Sequence, residues 1–315
     1  MPAPFVRRVR PTPLVTACRV DTYIDPVNSR FSPVWLVLIG IFSVQFGAGI
    51  AKSLFDEVDP TVIVWLRLVT SAVVLMLAAR PTLRHRSAHD WLVVAGFGAS
   101  LGVMNWAIYQ SFARIPLGIA VTIEFVGPLT LAVVGSRRPR DLAWVVLAGL
   151  GVALLGIEPG ALTLTGVLFA LLAGAAWATY ILLSAQTGRR WPGLDGLALA
   201  SVVATLLLTP FAVPAGGGDL VDTRVLALGA AVGLLSSVIP YSCELVALRS
   251  LRPAVFSILM SLEPAAAALA GMVILGEYLS AVEWLAVACV MVASVGATRS
   301  HAGLPEGGIG EPVPD

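Results

Sequence analysis

From Pro33 onward, apolar runs of the length that crosses a bilayer as an α-helix, about 17–25 residues, alternate with short polar breaks. The runs fall at 33–51, 61–79, 91–112, 117–135, 142–157, 165–185, 196–213, 225–247, 254–275 and 280–298. They predict an all-α membrane protein of ten transmembrane helices. The turns after the third and eighth runs are very tight. Residues 1–32 are polar, and 299–315 are rich in Gly and Pro. Both are expected to be disordered cytoplasmic tails. The ranges 33–157 and 165–298 then hold five spans each.

Composition agrees with lipid as the solvent. Hydrophobic residues make up 57% of the 315 residues and charged residues 12%, against about 25% charged in soluble domains. Mean hydropathy is +0.89. A net charge of +1 removes any case for nucleic-acid binding, which needs a clustered basic face. Cys18, Cys243 and Cys289 form no metal-binding or disulfide pattern, so no metal and no cofactor is expected. His85, His89 and His301 all lie in polar segments, so no span offers a histidine base. Val15-Thr16-Ala17-Cys18 resembles a lipoprotein cleavage box, but the residues before it are not an apolar run, and cleavage is rejected. Arg7-Arg8 fails as a twin-arginine signal for the same reason.

Basic residues give an orientation. Arg7, Arg8, Arg10, Arg19 and Arg30 precede the first span. Further arginines follow every even-numbered span: 80, 84 and 86; 137, 138 and 140; 189 and 190; 249 and 252; and 299. Sixteen of the twenty basic residues so fall on one side, against Lys52, Arg114 and Arg224 on the other. Both termini are expected in the cytoplasm of a bacterial cell, on the inner side of its plasma membrane. An internal repeat accompanies this. Glu124 precedes Pro128 as Glu263 precedes Pro264, the two prolines lying 136 positions apart. Trp144 and Trp284 open the fifth and tenth spans, which both end in glycine, Gly156 and Gly296. Five spans is an odd number, so the second copy is expected inverted. Inverted repeats are a signature of secondary transporters with a mid-membrane substrate site.

Arg67, Glu124, Glu244 and Glu263 lie inside spans, and Lys52 ends the first. Five unpaired charges would cost on the order of 12–18 kcal/mol on insertion scales, against about 5–15 kcal/mol for a whole fold. They are expected to face a cavity and partly neutralise one another. Two positive charges against three negative would leave one carboxylate to take a proton. The alternative is a structural pair for Arg67, and snorkelling of Lys52 and Glu244 to the interface. Pro128, Pro240 and Pro264 each withhold a donor from the carbonyl four residues back, those of Glu124, Ser236 and Met260. Such carbonyls are tolerated where they line a cavity. Pro210 is expected only to end the seventh span.

Helical periodicity groups further polar residues into stripes: Gln45, Ala48 and Lys52; Gly98, Gly102, Asn105 and Tyr109; Trp177, Tyr180 and Ser184; Ser237, Tyr241 and Glu244. Donors, acceptors and aromatic rings together suit a small polar solute. Trp177 and Tyr180 have packing or interfacial anchoring as their plainer reading. Gly98/Gly102 and Gly229/Gly233 are small-xxx-small pairs suited to close helix contact. Residues 98–102 also match G-x-S-x-G, but that motif needs a strand-to-helix turn and a histidine base, so catalysis is not expected.

One set of segments runs the length of the spans: Gly-Ala-Gly-Ile-Ala-Lys-Ser-Leu-Phe at 47–55, Met-Asn-Trp at 104–106 and Pro-Leu-Gly-Ile-Ala-Val-Thr-Ile-Glu-Phe-Val-Gly-Pro-Leu at 116–129. Ser-Arg-Arg-Pro at 136–139, Trp-Ala-Thr-Tyr-Ile-Leu at 177–182, Pro-Tyr-Ser-Cys-Glu at 240–244, Met-Ser-Leu-Glu-Pro-Ala at 260–265 and Gly-Glu at 276–277 complete it. In these segments the chain resembles the drug/metabolite transporter superfamily in its EamA-domain, ten-helix form, and within it the bacterial threonine/homoserine exporters. The resemblance implies export of a small metabolite across the inner membrane, driven by the proton gradient. It places Lys52, Glu124, Tyr241, Glu244 and Glu263 on motif positions. The expected cargo is a neutral amino acid such as homoserine or threonine. Its carboxylate would meet Lys52 or Arg67, and its ammonium Glu124 or Glu263, with Glu244 also at the site. Asn105, Tyr109, Trp177, Tyr180 and Tyr241 would shape the pocket, and Glu124 or Glu263 would carry the proton. The expected partners are this solute, the proton and the bilayer, in a monomer or homodimer. The rivals are the same fold with another metabolite or drug as cargo, a membrane-embedded enzyme, and a non-transporting assembly or sensor protein.

Overall fold

The computed structural model describes residues 32–84, 86–135, 141–156, 162–248 and 250–302. The tail readings for 1–31 and 303–315, and those on Cys18, His85, Arg137, Arg138, Arg140 and Arg249, lie outside these residues. Ten helical segments follow one another: α1 Pro33–Lys52, α2 Pro60–Ala79, α3 Ala88–Phe112, α4 Leu117–Val134, α5 Leu142–Leu155, α6 Leu164–Gly188, α7 Asp195–Val221, α8 Thr223–Leu248, α9 Ala254–Leu275 and α10 Ala281–Ser300. Among the described residues nine are long and apolar enough to cross a membrane; α5, with 14 residues, is shorter.

Local chemistry sets the helix starts. Asp59 accepts from the Thr61 amide at 2.7 Å ahead of Pro60, which needs no donor at the first helical position. Ser87 and Asp90 form a capping box on α3. Thr163 and Asp222 cap α6 and α8. Helix α7 continues through Pro210 and Pro214 to Gly216, so Pro210 does not end the seventh span. Membrane helices tolerate interior proline where neighbouring groups satisfy the freed backbone. The last helix runs to Ala302, past the predicted end at 298.

Contacts between helix ends define two faces. At the near face, where α1 starts, Asp90 of α3 pairs with Arg190 after α6 at 2.9 Å, and Trp144 of α5 donates to Ser300 of α10 at 3.3 Å. At the far face, Arg224 of α8 pairs with Glu57 after α1 at 2.9 Å, and Thr163 before α6 reaches the Arg114 carbonyl after α3. The helices therefore alternate in direction.

Packing follows a pattern that repeats after a shift of five helices. Helix α3 packs on α6 and α7 as α8 packs on α1 and α2, and α4 packs on α6 as α9 packs on α1. The crossings use small residues. Gly98 and Gly102 lie against Val203 and Ala204 of α7, and Gly229 and Gly233 lie against Leu66 and Thr70 of α2. Gly127 of α4 meets the backbone of Gly174 of α6, and Gly118 of α4 meets Ala268 of α9. Large apolar side chains such as Leu77, Leu92, Leu164, Leu206 and Phe211 face outward, as lipid-facing surfaces require.

Three helices are broken near the middle. Helix α4 is interrupted at Phe125, between Leu117–Glu124 and Val126–Gly135. Helix α9 is interrupted at Ser261 and Leu262, between Pro253–Met260 and Glu263–Ala270. Both breaks lie about one turn before a proline, Pro128 or Pro264, as the missing donors dictate. Helix α8 takes a π-helical form over Leu234–Val238, just before Pro240.

Candidate functional site: a cavity at the helix breaks

The broken helices surround a cavity of about 530 Å³, within the usual range of about 300–1,000 Å³ for small-molecule sites. All helices except α5 and α7 contribute to its wall. Arg67, Asn105, Glu124, Trp177, Tyr180, Tyr241, Glu244 and Glu263 line it.

Arg67 is the cation of this chamber and is 8% exposed. Its Nη2 donates to the Ser236 carbonyl at 2.9 Å and its Nε to Ser237 Oγ at 3.3 Å. The Ser236 carbonyl is the one that Pro240 cannot pair, so the proline and the arginine are complementary features of α8 and α2. Tyr109 stands behind Arg67. Its hydroxyl accepts from Nη1 at 3.5 Å, and its ring lies 5.7 Å from the guanidinium carbon.

Two of the carboxylates flank the helix breaks from opposite sides. Glu124 is the last residue before the α4 break, and Glu263 the first after the α9 break. Each is 8% exposed. Glu244 lies one turn beyond Pro240, on the same wall as Tyr241. Among the described residues no group of three His, Cys, Asp or Glu side chains is placed to hold a metal ion. Trp177 packs edge-on against Phe125 at the α4 break, ring centroids 5.1 Å apart, and Tyr180 tilts against Phe97 at 4.9 Å. Asn105 donates to the Leu101 carbonyl at 2.9 Å, which leaves its side-chain oxygen as an acceptor.

Two predicted site residues stand elsewhere. Tyr109 is fully buried behind Arg67 and does not line the cavity. Lys52 is one turn too far along α1. Its Nζ meets Glu277 Oε1 at 2.5 Å and donates to the Ile115 carbonyl at 2.7 Å. The expected balance of two positive charges against three negative therefore becomes Arg67 against three glutamates, with Glu277 the unrecognised partner of Lys52. The sequence pointed to the other lining polar residues only weakly. Gln45 lies on a predicted stripe. Ser294 and Thr298 share one face of α10, at a spacing of four, inside an otherwise apolar run. Ser257 of α9 completes the set. Ser100 of the G-x-S-x-G match lies mid-helix and donates to the Phe97 carbonyl at 2.8 Å.

Among the described residues, exposure of the cavity wall is uneven. Its wall is buried toward the far face, at Ala48, Ile108, Phe112 and Val121. Toward the near face Tyr241, Glu244 and Thr298 are part-exposed and Ser257 is exposed.

Residues 164–299 match the EamA-like transporter family. Over 280 residues the chain is 41% identical to the threonine/homoserine exporter RhtA of Escherichia coli K12 and to that of Salmonella typhimurium LT2. Each alignment covers 87% of this chain and 95% of the relative. The chain belongs to the EamA-like transporter family. An uncharacterized transporter of Bacillus subtilis, YwfM, is 32% identical over 183 residues, 56% of this chain and 60% of the relative. One solved crystal structure superposes with a TM-score of 0.57 at 19% identity, covering 84% of this chain and 97% of that one, and so shares its fold. As an EamA-family member within the drug/metabolite transporter superfamily, the protein is a multi-pass membrane transporter and not an enzyme. The family match falls on α6 to α10, whose packing is mirrored by α1 to α5.

Proposed function

We propose that the protein exports small neutral amino acids of the homoserine and threonine kind from the bacterial cytoplasm, by alternating access between two inverted five-helix repeats and in exchange for protons. The observation that carries this reading is the charge set of the cavity: one anchored guanidinium and three carboxylates around one chamber. A zwitterion satisfies such a set. Its carboxylate meets Arg67, its ammonium meets a glutamate, and the remaining carboxylates are available to protons. The hydroxyl of the cargo has Asn105 and the serines of the wall as partners. Identity to exporters named for threonine and homoserine supports the cargo, and the five-helix shift in packing supports the repeat. The arginine-rich near face is then cytoplasmic, so the cavity faces the compartment that supplies the cargo. Proton and cargo bias the two access states through their differential affinities, the only way a ligand shifts such an equilibrium. Glu124 and Glu263, each beside a helix break, are the proton carriers in this scheme.

A second reading has one specific observation in its favour. With Lys52 removed to the Glu277 pair, the cavity wall is acidic overall, which suits a cationic metabolite or drug better than the sequence alone indicated. Both readings are tested together in liposomes carrying the protein, with an imposed pH gradient and labelled homoserine and threonine. Gradient-driven flux that loses its gradient response in Glu124→Gln or Glu263→Gln supports proton-coupled amino-acid export. Gradient-driven flux of both amino acids that persists in both variants removes the proton role. Flux of an organic cation without flux of either amino acid replaces the cargo.

A further inference from the structure

The Lys52–Glu277 pair joins three helices at the closed end of the cavity. Lys52 is the last residue of α1, and its ammonium is shared between Glu277 Oε1 at 2.5 Å and the Ile115 carbonyl at 2.7 Å. The second oxygen of the same carboxylate, Oε2, accepts from the Leu117 amide at 2.8 Å. Leu117 opens α4, and its amide is one of the orphan donors of a helix start. Glu277 reaches back to this point because Gly276 ends α9 with φ of 68°, a left-handed turn that glycine takes without strain. The Glu277 amide donates to the Gly271 carbonyl at 3.1 Å. One ion pair thus ties α1, α4 and α9 at the far face. Its side chains are 16% and 21% exposed, at the rim rather than in the cavity.

The segments it ties to α1 belong to two interrupted helices. The far half of α4, Leu117–Glu124, is separated from the rest by the break at Phe125. The far half of α9 begins at Glu263, after the break at Ser261–Leu262. The two far halves touch where Gly118 lies against Ala268. Each ends inward at a helix break, and a cavity glutamate lies beside that break. Phe55, three residues after Lys52, and Phe112, at the end of α3, each tilt against Tyr109 with ring centroids 5.9 and 5.7 Å away. On the transporter reading above, we propose that Lys52 and Glu277 are the far-face gate. They hold the far halves of α4 and α9 against α1 while the cavity is open to the near face, and they part when it opens to the far face.

The test reads accessibility and needs no substrate, so it stands whatever the cargo. In a background with Cys18, Cys243 and Cys289 replaced by serine, Ala48→Cys places a thiol on the cavity wall one turn below Lys52. Ser257→Cys places one at the near mouth. A membrane-impermeant methanethiosulfonate reagent is applied from one face at a time. With the gate intact, Ala48→Cys is protected from the far face. Lys52→Met and Glu277→Gln are each expected to raise its far-face labelling by about tenfold or more, a typical coupling of two states. Labelling of Ser257→Cys from the near face falls in step, and the exchanged pair, Lys52→Glu with Glu277→Lys, restores protection. Unchanged protection of Ala48→Cys in both single variants overturns the proposal. So does a rise in labelling at both positions, which marks general loosening rather than a gate.

Discussion

Replacing Arg67 with glutamine removes the cation of the cavity while keeping a planar, hydrogen-bonding side chain. In the zwitterion scheme Arg67 meets the cargo carboxylate, inside a wall where Ala48, Asn105, Glu124 and Ser236 are all buried. Truncating one partner of a buried, hydrogen-bonded charge pair costs about 2–5 kcal/mol, mostly from the charge left behind. That corresponds to a rise in KM of roughly thirty-fold to several thousand-fold. Part of the effect is positional, because Arg67 also supplies the donors for the Ser236 carbonyl and Ser237 Oγ. The decisive readout is therefore a ratio. Competition against labelled homoserine is measured with threonine and with the amino alcohol that lacks its carboxylate. Wild-type protein is expected to prefer threonine strongly, and Arg67→Gln to lose most of that preference. Arg67→Lys, which keeps the charge but not the two-pronged geometry, falls between them. An unchanged threonine preference in Arg67→Gln protein of normal thermal stability would refute the role of Arg67 in holding the carboxylate.

Two further substitutions test the packing that holds the cavity. A side chain at Gly174 would start 2.6 Å from the Glu124 carbonyl oxygen, a backbone atom that cannot swing aside. Gly174→Val is expected to destabilise by about 1–3 kcal/mol as overpacking, while Gly149→Ala, where nothing lies within 4 Å, is expected to be neutral or stabilising in thermal melts. The near-face pair of Arg190 with Asp90 is part-exposed, so Arg190→Gln is expected to change stability by no more than about 1 kcal/mol and leave flux intact.

The ten helical segments, the helix breaks and most of the cavity wall were legible in the sequence, for identifiable reasons. Apolar run length is a direct physical requirement of the bilayer. A proline inside an apolar run marks an unpaired carbonyl wherever the chain folds, and the Ser236 carbonyl, four residues before Pro240, is where Arg67 binds. Which charges pair was not legible. Lys52 and Glu277 lie at the ends of α1 and α9, and nothing in local periodicity says that two helix ends far apart in the chain meet at one face. Tyr109 failed for a related reason. Its stripe with Asn105 was read as facing the cavity, but Asn105, Ile108 and Phe112 line the wall while the Tyr109 ring is turned against the Arg67 guanidinium. Ser294 and Thr298 had a weak signal, two hydroxyls at a spacing of four, which is easily taken for ordinary back-bonding to the helix. Pro210 misled because a proline that ends a helix in water can be carried inside one in a membrane.

The central claim, that this chain carries amino acids through the cavity containing Arg67, is tested most directly by counterflow. Liposomes containing the protein are preloaded with unlabelled homoserine and diluted into trace labelled homoserine, with no pH gradient, so that coupling plays no part. Transient accumulation of label above the equilibrium level is expected, abolished by Arg67→Gln and competed by external threonine. Label that never exceeds that of protein-free liposomes, with properly folded wild-type protein, would contradict it.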